Sequence, residues 1–477
     1  MTFIWLGDAP DLDPALVGGK ARSINRMRAL GMPVPPAFVL STAFCAEVSA
    51  NNGRLTDRIM QHMSDGIDRL QAETGRRLGC DTAPLLVSVR SGGAQSMPGM
   101  MDTVLNLGMN TDVERRVAEY SGSPDFAADT HRRFVEQFSR VVGTEATGVP
   151  WDDLILAAEA VFASWNSPRA RSYRAHHDIS HEGGTAVTVQ AMVFGNYDEN
   201  SGTGVLFSRN PLTGDPAPYG EWLPGGQGED VVSGRFDALH LEELEKQLPE
   251  VHAQLMAASE ALERHGRDAQ DIEFTVENGR LWLLQTRAAK RSPQAAVRIA
   301  VTLAQEGIIT RQEAVALATD AQIAAATAPH VDPVARRDAT LVASGLPACP
   351  GVASGRVVSD CEAAEKLSDE GIPVILARPT TDPDDVAGMV VSEAIITEIG
   401  GATSHAAVVS RELGTPCIVG CGQGVLDSLI GKTVTVDGTN GEIFEGILPL
   451  ADVHGKEHDA VVQLRDWATE TPVAVTR

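Results

Sequence analysis

The sequence predicts a multidomain protein of the α/β (α+β) class, and three observations carry that expectation. Short apolar strands alternate with helical stretches and glycine-rich turns through residues 1–290, as at 85–89 and 186–193. Residues 292–326 then place Ala296, Ile299, Ala300 and Leu303 at helical spacing, with a second helix near 312–319, which reads as a helical spacer. Residues 328–339 lose periodicity and gain prolines and charge, the mark of a linker, before short strands resume at 355–358, 374–377, 394–397, 417–419 and 433–436. The expected division is 1–290, an α/β domain; 291–340, spacer and linker; 341–450, a small mixed β/α domain; and 451–477, a C-terminal tail.

With 477 residues, 43% of them hydrophobic and 22% charged, the chain has ordinary globular composition and too much length for one core. Its formal charge of −25 repels phosphate backbones and anionic lipid, so neither nucleic acid nor a membrane surface is an expected partner. Lysines and arginines inside motifs are correspondingly informative. The six cysteines show no zinc spacing, which predicts free, mostly buried thiols. The first residues have no basic stretch before an apolar run, and no apolar run reaches bilayer length, so a cytoplasmic location is expected.

The segment Gly400-Gly401-Ala402-Thr403-Ser404-His405 follows an apolar strand and precedes a helix closed by Gly414. His405 therefore falls at a helix N-terminus, with Thr403 or Ser404 as the cap. Exposed amides and the positive end of the helix dipole would stabilise a phosphate on the imidazole. Near neutral pH an imidazole is both nucleophile and leaving group, as a phosphoryl carrier requires.

Upstream, Gly18-Gly19-Lys20 combines backbone access with a cation that can reach a phosphate. The run from Val87 to Asn106 joins a strand bearing Arg90 to a glycine loop that can fold over polyphosphate through its amides. Asp271 and Glu273 alternate onto one face of a strand, and Gln285 and Arg287 onto one face of its hairpin partner, across the turn Glu277-Asn278-Gly279-Arg280. Oxygen ligands and a cation on such a hairpin suit magnesium triphosphate.

The run around His405 resembles the phosphohistidine signature of the phosphoenolpyruvate-utilising dikinases, and 345–355 resembles the entry strand of their swivelling domain. The stretch Ser96-Met97-Pro98-Gly99-Met100-Met101-Asp102-Thr103 resembles the ATP-grasp domain of the pyruvate phosphate dikinase family in particular. This resemblance implies an ATP-grasp nucleotide-binding domain, a helical linker and a small swivelling β/β/α phosphohistidine domain. It implies nucleotide contacts at Lys20, Arg90, Gly99, Met101, Thr103, Gln190, Met192, Val193, Glu273, Gln285 and Arg287, with Gln190–Val193 as the adenine-side strand. Magnesium is implied at Glu273 and Gln285, with Asp271 behind them and Glu229 as a further carboxylate. His405, Arg90 and Arg287 take the catalytic roles. Arg132 or Arg133 matches a phosphate-binding arginine, and Thr403 matches a position that regulators modify.

The implied activity is a dikinase-type phosphotransfer: ATP, with inorganic phosphate, yields phospho-His405, AMP and pyrophosphate. The family continues into a pyruvate-binding barrel for which this sequence shows no counterpart, so the expected acceptor lies on a separate barrel protein or is a small molecule. A self-contained kinase with its acceptor between the domains, and an ATP-sensing module without turnover, are the alternatives. Association into a homodimer is compatible with the sequence.

Overall fold

The computed structural model describes residues 3–9, 11–79, 82–95, 97, 101–176, 179–232, 238–327, 330–451 and 456–470. Contacts group the chain into two units, 1–202 with 274–287 and 203–273 with 288–477.

The first unit is built on a sheet whose strands, in spatial order, are Phe3–Trp5, Ala37–Leu40, Ala186–Ala191, Val87–Gly92 and Thr103–Leu107, every neighbouring pair antiparallel. Val87, Val89, Val187, Val189 and Phe38 are each at most 0% exposed, so the central strands supply the core. The strand expected to reach residue 193 ends at Ala191, although the Met192 amide still donates to the Leu86 carbonyl (2.9 Å), the next position of the Val87–Ala191 register.

Gly18 decides how this unit closes. It interrupts the helix Pro14–Ala29 with φ 79° and ψ 159°, a conformation essentially restricted to glycine. A Cβ there would stand 2.5 Å from the backbone carbon and oxygen of Gly92, and the next amide, of Gly19, donates to Gly93 O at 3.0 Å. The motif Gly18-Gly19-Lys20 thus lies in a kinked helix whose kink rests against the strand carrying Arg90.

In the second unit, residues 341–450 form an eight-stranded sheet in the order Leu341–Ser344, Glu442–Glu445, Thr433–Asp437, Val352–Val358, Val374–Arg378, Ala394–Thr397, Cys417–Val419, Leu346–Cys349. The four strands from Val352–Val358 to Cys417–Val419 run parallel and are flanked by antiparallel edges. Their helices, including Cys361–Asp369 and His405–Leu413, cover one face over Val374, Leu376, Ile395 and Val419. Leu426, Leu429, Val434 and Ile443 pack with Ile375 and Ile396 on the other. Such continuous apolar strands are what burial on both faces demands.

The expected spacer resolves into helices Pro293–Gln305, Arg311–Leu317 and Asp320–Ala326, the last two opened by capping boxes at Thr310 and Thr319. The aperiodic linker is more ordered than its composition implied. His330–Val331 pairs with Leu450–Ala451, and Asp332 caps the short helix Pro333–Asp338 with proline at its first position. Five cysteines are free thiols and Cys80 lies outside the described residues; burial pushes Cys349 and Cys417 up to about 12. Among the described residues, no helix is long and apolar enough to cross a membrane.

Gly18→Ala combines a strained backbone with a clash against another strand and should cost about 2–4 kcal/mol. A Cβ on Gly19 meets nothing within 4 Å, so Gly19→Ala should be neutral or stabilising by up to about 1 kcal/mol. Urea unfolding of the two variants checks the contrast.

Candidate active site

His405 opens the helix His405–Leu413, which follows the carboxyl end of the parallel strand Ala394–Thr397. The neighbouring parallel strand, Val374–Arg378, is in register with it, Arg378 opposite Thr397. The loop leaving that strand carries Thr381, so two adjacent crossovers bring Thr381 and His405 together. Binding groups gather at the carboxyl ends of parallel strands for this topological reason. The Thr381 hydroxyl lies 3.1 Å from His405 Nδ1, while Nε2 is buried and has no hydrogen-bond partner among the described residues. One ring nitrogen is held and the other left for chemistry.

Burial lowers the imidazole below its ordinary 6.5, opposed by the nearby charges of Asp382 and Asp385. Desolvation wins, because removing imidazolium from water costs more than these carboxylates return. Asp382 is exposed, and Asp385 is ion-paired with Arg378 at 3.1 Å, which weakens both as counter-charges. The neutral, nucleophilic form is therefore favoured at neutral pH.

Ser404 occupies the N-cap position, yet its hydroxyl makes no capping bond and is buried without a partner among the described residues. Thr403 does not cap the helix either; its hydroxyl donates to Glu221 Oε2, and the Ala402 amide donates to Glu221 Oε1 at 3.0 Å. The first-turn amides of a nine-residue helix are thus left uncapped by side chains beside the histidine. The two glycines have separate reasons. Gly400 has φ 130°, and a Cβ on Gly401 would stand 2.7 Å from Glu221 Oε1. Arg411, on the same helix, is fully buried and donates to Ala402 O at 2.9 Å and Ala348 O at 3.1 Å, fixing the loop from behind. Its charged form is disfavoured by burial and favoured by charges that include Asp271.

The segments of the first unit that carry the residues expected at the nucleotide are joined by main-chain contacts and one side-chain hydrogen bond. The Gly18–Gly92 contact sets the Lys20 segment against the strand of Arg90, which pairs with Thr103 on one side and Thr188 on the other. Ser23, one turn beyond Lys20, accepts the Thr286 amide at 2.7 Å between Gln285 and Arg287. Met101 is half-buried, its methyl 3.5 Å from where a Cβ on Gly93 would lie, and Gly99 is outside the described residues. Gln190 donates to Pro35 O at 3.1 Å, so its side chain braces the fold. The Val193 amide and carbonyl carry no hydrogen bond among the described residues, unlike the Met192 amide.

Gln285 is 7% exposed, and its Oε1 is buried with no hydrogen-bond partner among the described residues, a polar oxygen suited to a hard cation. On the adjacent strand Gln270–Glu277, Asp271 is buried and Glu273 half-buried, while Ile272 and Phe274 turn to the core, as the alternation implied. Among the described residues, no cluster of three or more His, Cys, Asp or Glu could hold a metal by itself. Magnesium needs none, because it keeps several waters and phosphate oxygens as ligands. The side chain of Glu229 lies outside the described residues. Arg132 and Arg133 share Asp129 on the helix Pro124–Val142, Arg132 also pairing with Glu136 at 2.8 Å.

Sequence reasoning did not find Thr381, Glu221 or the bracing role of Arg411. Thr381 sits in a Thr-Asp-Pro turn, a pattern that ordinarily signals only loop geometry.

Comparison with known proteins gives matches to two family models. Residues 55–242 and 239–307 match the family model described as pyruvate phosphate dikinase, AMP/ATP-binding domain. Residues 371–441 match PEP-utilising enzyme, mobile domain. The chain is 40% identical to pyruvate, phosphate dikinase of Rhizobium meliloti (strain 1021), over 93% of this chain and 57% of that one. It is 39% identical to the Clostridium symbiosum protein of the same name, over 90% and 56%, and 39% identical to the chloroplastic protein 1 of Arabidopsis thaliana, over 92% and 51%. The chain spans about half the length of these relatives.

His405 should titrate below 6.5 in a proton–nitrogen NMR experiment, and Asp382→Asn should lower its midpoint further by removing a favourable charge. Since the unfolded chain accepts a proton that the folded site resists, His405's effect on stability is a loss as pH drops from 6.5 to the lowered folded midpoint. A midpoint at or above 6.5 would contradict this account.

Proposed function

Because the chain belongs to the pyruvate, phosphate dikinase family, we propose that it is an ATP-dependent phosphotransferase working through phospho-His405. The observation that carries this reading is the divided imidazole: Nδ1 against Thr381, Nε2 without a partner, and an uncapped helix N-terminus alongside.

In the proposed reaction, Nε2 attacks the β-phosphorus of ATP. The N–P bond forms, the bond to the α-phosphate oxygen breaks, and AMP leaves with that oxygen. Inorganic phosphate then takes the terminal group from the pyrophosphoryl-histidine, leaving phospho-His405 and pyrophosphate. Lys20, Arg90 and Arg287 offset the charge that spreads over the transferring oxygens. The backbone of Val193 reads adenine beside Met192, and Met101, Thr103 and the Gly99 loop complete the nucleotide contacts. Glu273 and Gln285, with support from Asp271, would hold magnesium, which when bound would supply charge neutralisation. Arg132 or Arg133 assists phosphate.

The phosphoryl group then passes to an acceptor, either on a separate barrel protein of the phosphoenolpyruvate or pyruvate type or on a small molecule. A cytoplasmic setting, with its ATP and magnesium, fits this chemistry. Thr403 is the proposed point of regulation, because a phosphoryl group there would set a dianion against Glu221 and remove the hydroxyl's donor role.

Incubation with ATP labelled at the β-phosphate should label the wild-type protein in an acid-labile, alkali-stable bond and release AMP. His405→Ala should abolish labelling, and Arg90→Ala should slow it by about 100-fold or more. An unlabelled wild type, or an equally labelled His405→Ala variant, would sink the mechanism. AMP formation restored by one added metabolite or by a separate barrel protein would identify the acceptor.

A further inference from the structure

The first unit contains a cavity, of ≈ 160 Å³, lined by Arg76, Tyr120, Phe126, Phe194, Tyr197 and Glu277 among others. None of the residues assigned above to nucleotide, magnesium or phosphate lines it. We propose that this cavity binds a small zwitterion, an α-amino acid with an apolar side chain, whose ammonium meets Glu277 and whose carboxylate meets Arg76.

The charges argue for this class of ligand. Arg76 and Glu277 face one cavity, yet neither makes an ion pair within 4.0 Å among the described residues. Glu277 is oriented rather than loose. It accepts the Phe194 amide at 3.1 Å through Oε1, and Oε2 has no hydrogen-bond partner among the described residues. The adjoining turn is fixed by Asn278 N to Ser201 Oγ at 2.9 Å, Gly279 N to Asn200 O at 3.0 Å and Ser201 Oγ to Asp198 at 2.6 Å. Burial pushes the Glu277 carboxyl above its ordinary range, opposed by the charges of Arg76 and Arg280 and by the Phe194 amide and seconded by Asp198. A simple anion would face Glu277 unpaired, and a simple amine would face Arg76 unpaired. A zwitterion satisfies both and adds no net charge to the site.

The walls argue for an apolar side chain. Phe126 and Phe194, each 6% exposed, meet edge to face at 5.3 Å and 82°, and Phe126 meets Tyr197 at 5.6 Å and 75°. That arrangement makes a rigid apolar surface. A cavity of about 150 Å³ accommodates benzene, so side chains from valine to phenylalanine are of suitable size. Binding here does not depend on phosphotransfer at His405, so its test is separate.

The full chain is titrated calorimetrically with L-valine, L-leucine and L-phenylalanine, and with 4-methylpentanoate and 3-methylbutylamine, which lack the ammonium and the carboxylate of leucine. At least one amino acid should bind saturably with Kd in the millimolar range or below, and its single-charge analogues at least about tenfold more weakly. Glu277→Gln, which keeps an acceptor for the Phe194 amide, and Arg76→Gln, at a partly exposed position, should each weaken binding about tenfold or more while cooperative thermal unfolding is retained. No binding of any of the three up to about 10 mM, equal binding of the analogues, or binding unchanged in Arg76→Gln would overturn the proposal.

Discussion

A Cβ on Gly18 would collide with the backbone of Gly92, and the arrangement of the first unit's segments bearing Lys20, Arg90 and Arg287 follows from that constraint. The kink at Gly18 turns the helix so that Gly19 can donate to Gly93, which fixes the Lys20 segment against the strand of Arg90. The same helix reaches the next motif through Ser23 and the Thr286 amide. Three segments separated by long stretches of sequence are therefore tied together, two by main-chain contact and the third through the Ser23 hydroxyl. Such ties hold the backbone from which the cations extend.

The histidine loop follows a different logic, in which a carboxylate and an arginine hold the backbone while leaving the ring free. Glu221 takes the donors of Ala402 and Thr403, and Arg411 takes the carbonyl of Ala402. Capping by Ser404 or Thr403 would have consumed amides that a phosphate can use. Instead Thr403 is drawn to Glu221 and the Ser404 hydroxyl makes no cap bond. The energetic cost of an uncapped helix, about 1 kcal/mol, is modest beside the gain of an anion site at its end.

Much of this was legible in the sequence, for identifiable reasons. The strand at Ala394–Thr397, the helix after Ser404 and its glycine stop are written in local periodicity and punctuation, which survive any tertiary context. Alternation likewise put Asp271 and Glu273 opposite Ile272 and Phe274. Thr381 and Glu221 were not legible, because they reach the histidine loop through strand order and packing, across 24 and 181 residues respectively. The linker's order was not legible for a related reason. Its prolines and charge mark lost periodicity, but Pro333 after Asp332 is also a helix start, and the pairing of His330–Val331 with Leu450–Ala451 is non-local.

The surroundings of His405 also bear on what a phosphoryl group would experience there. Burial keeps the imidazole neutral and nucleophilic, whereas Asp382 and Asp385 act in the opposite sense. Once a phosphoryl group occupied Nε2, those carboxylates would repel it and the helix amides would attract it. Asp385 is largely spent on Arg378, so the exposed Asp382 is the adjustable charge. The phosphoryl carrier proposed at His405 would have to hold its cargo without trapping it, and a weak, solvent-screened repulsion set against a helix end would meet both demands. Deeper burial of that carboxylate would raise the imidazole towards its charged form and cost the nucleophile; its exposure would keep attack and release compatible in one residue.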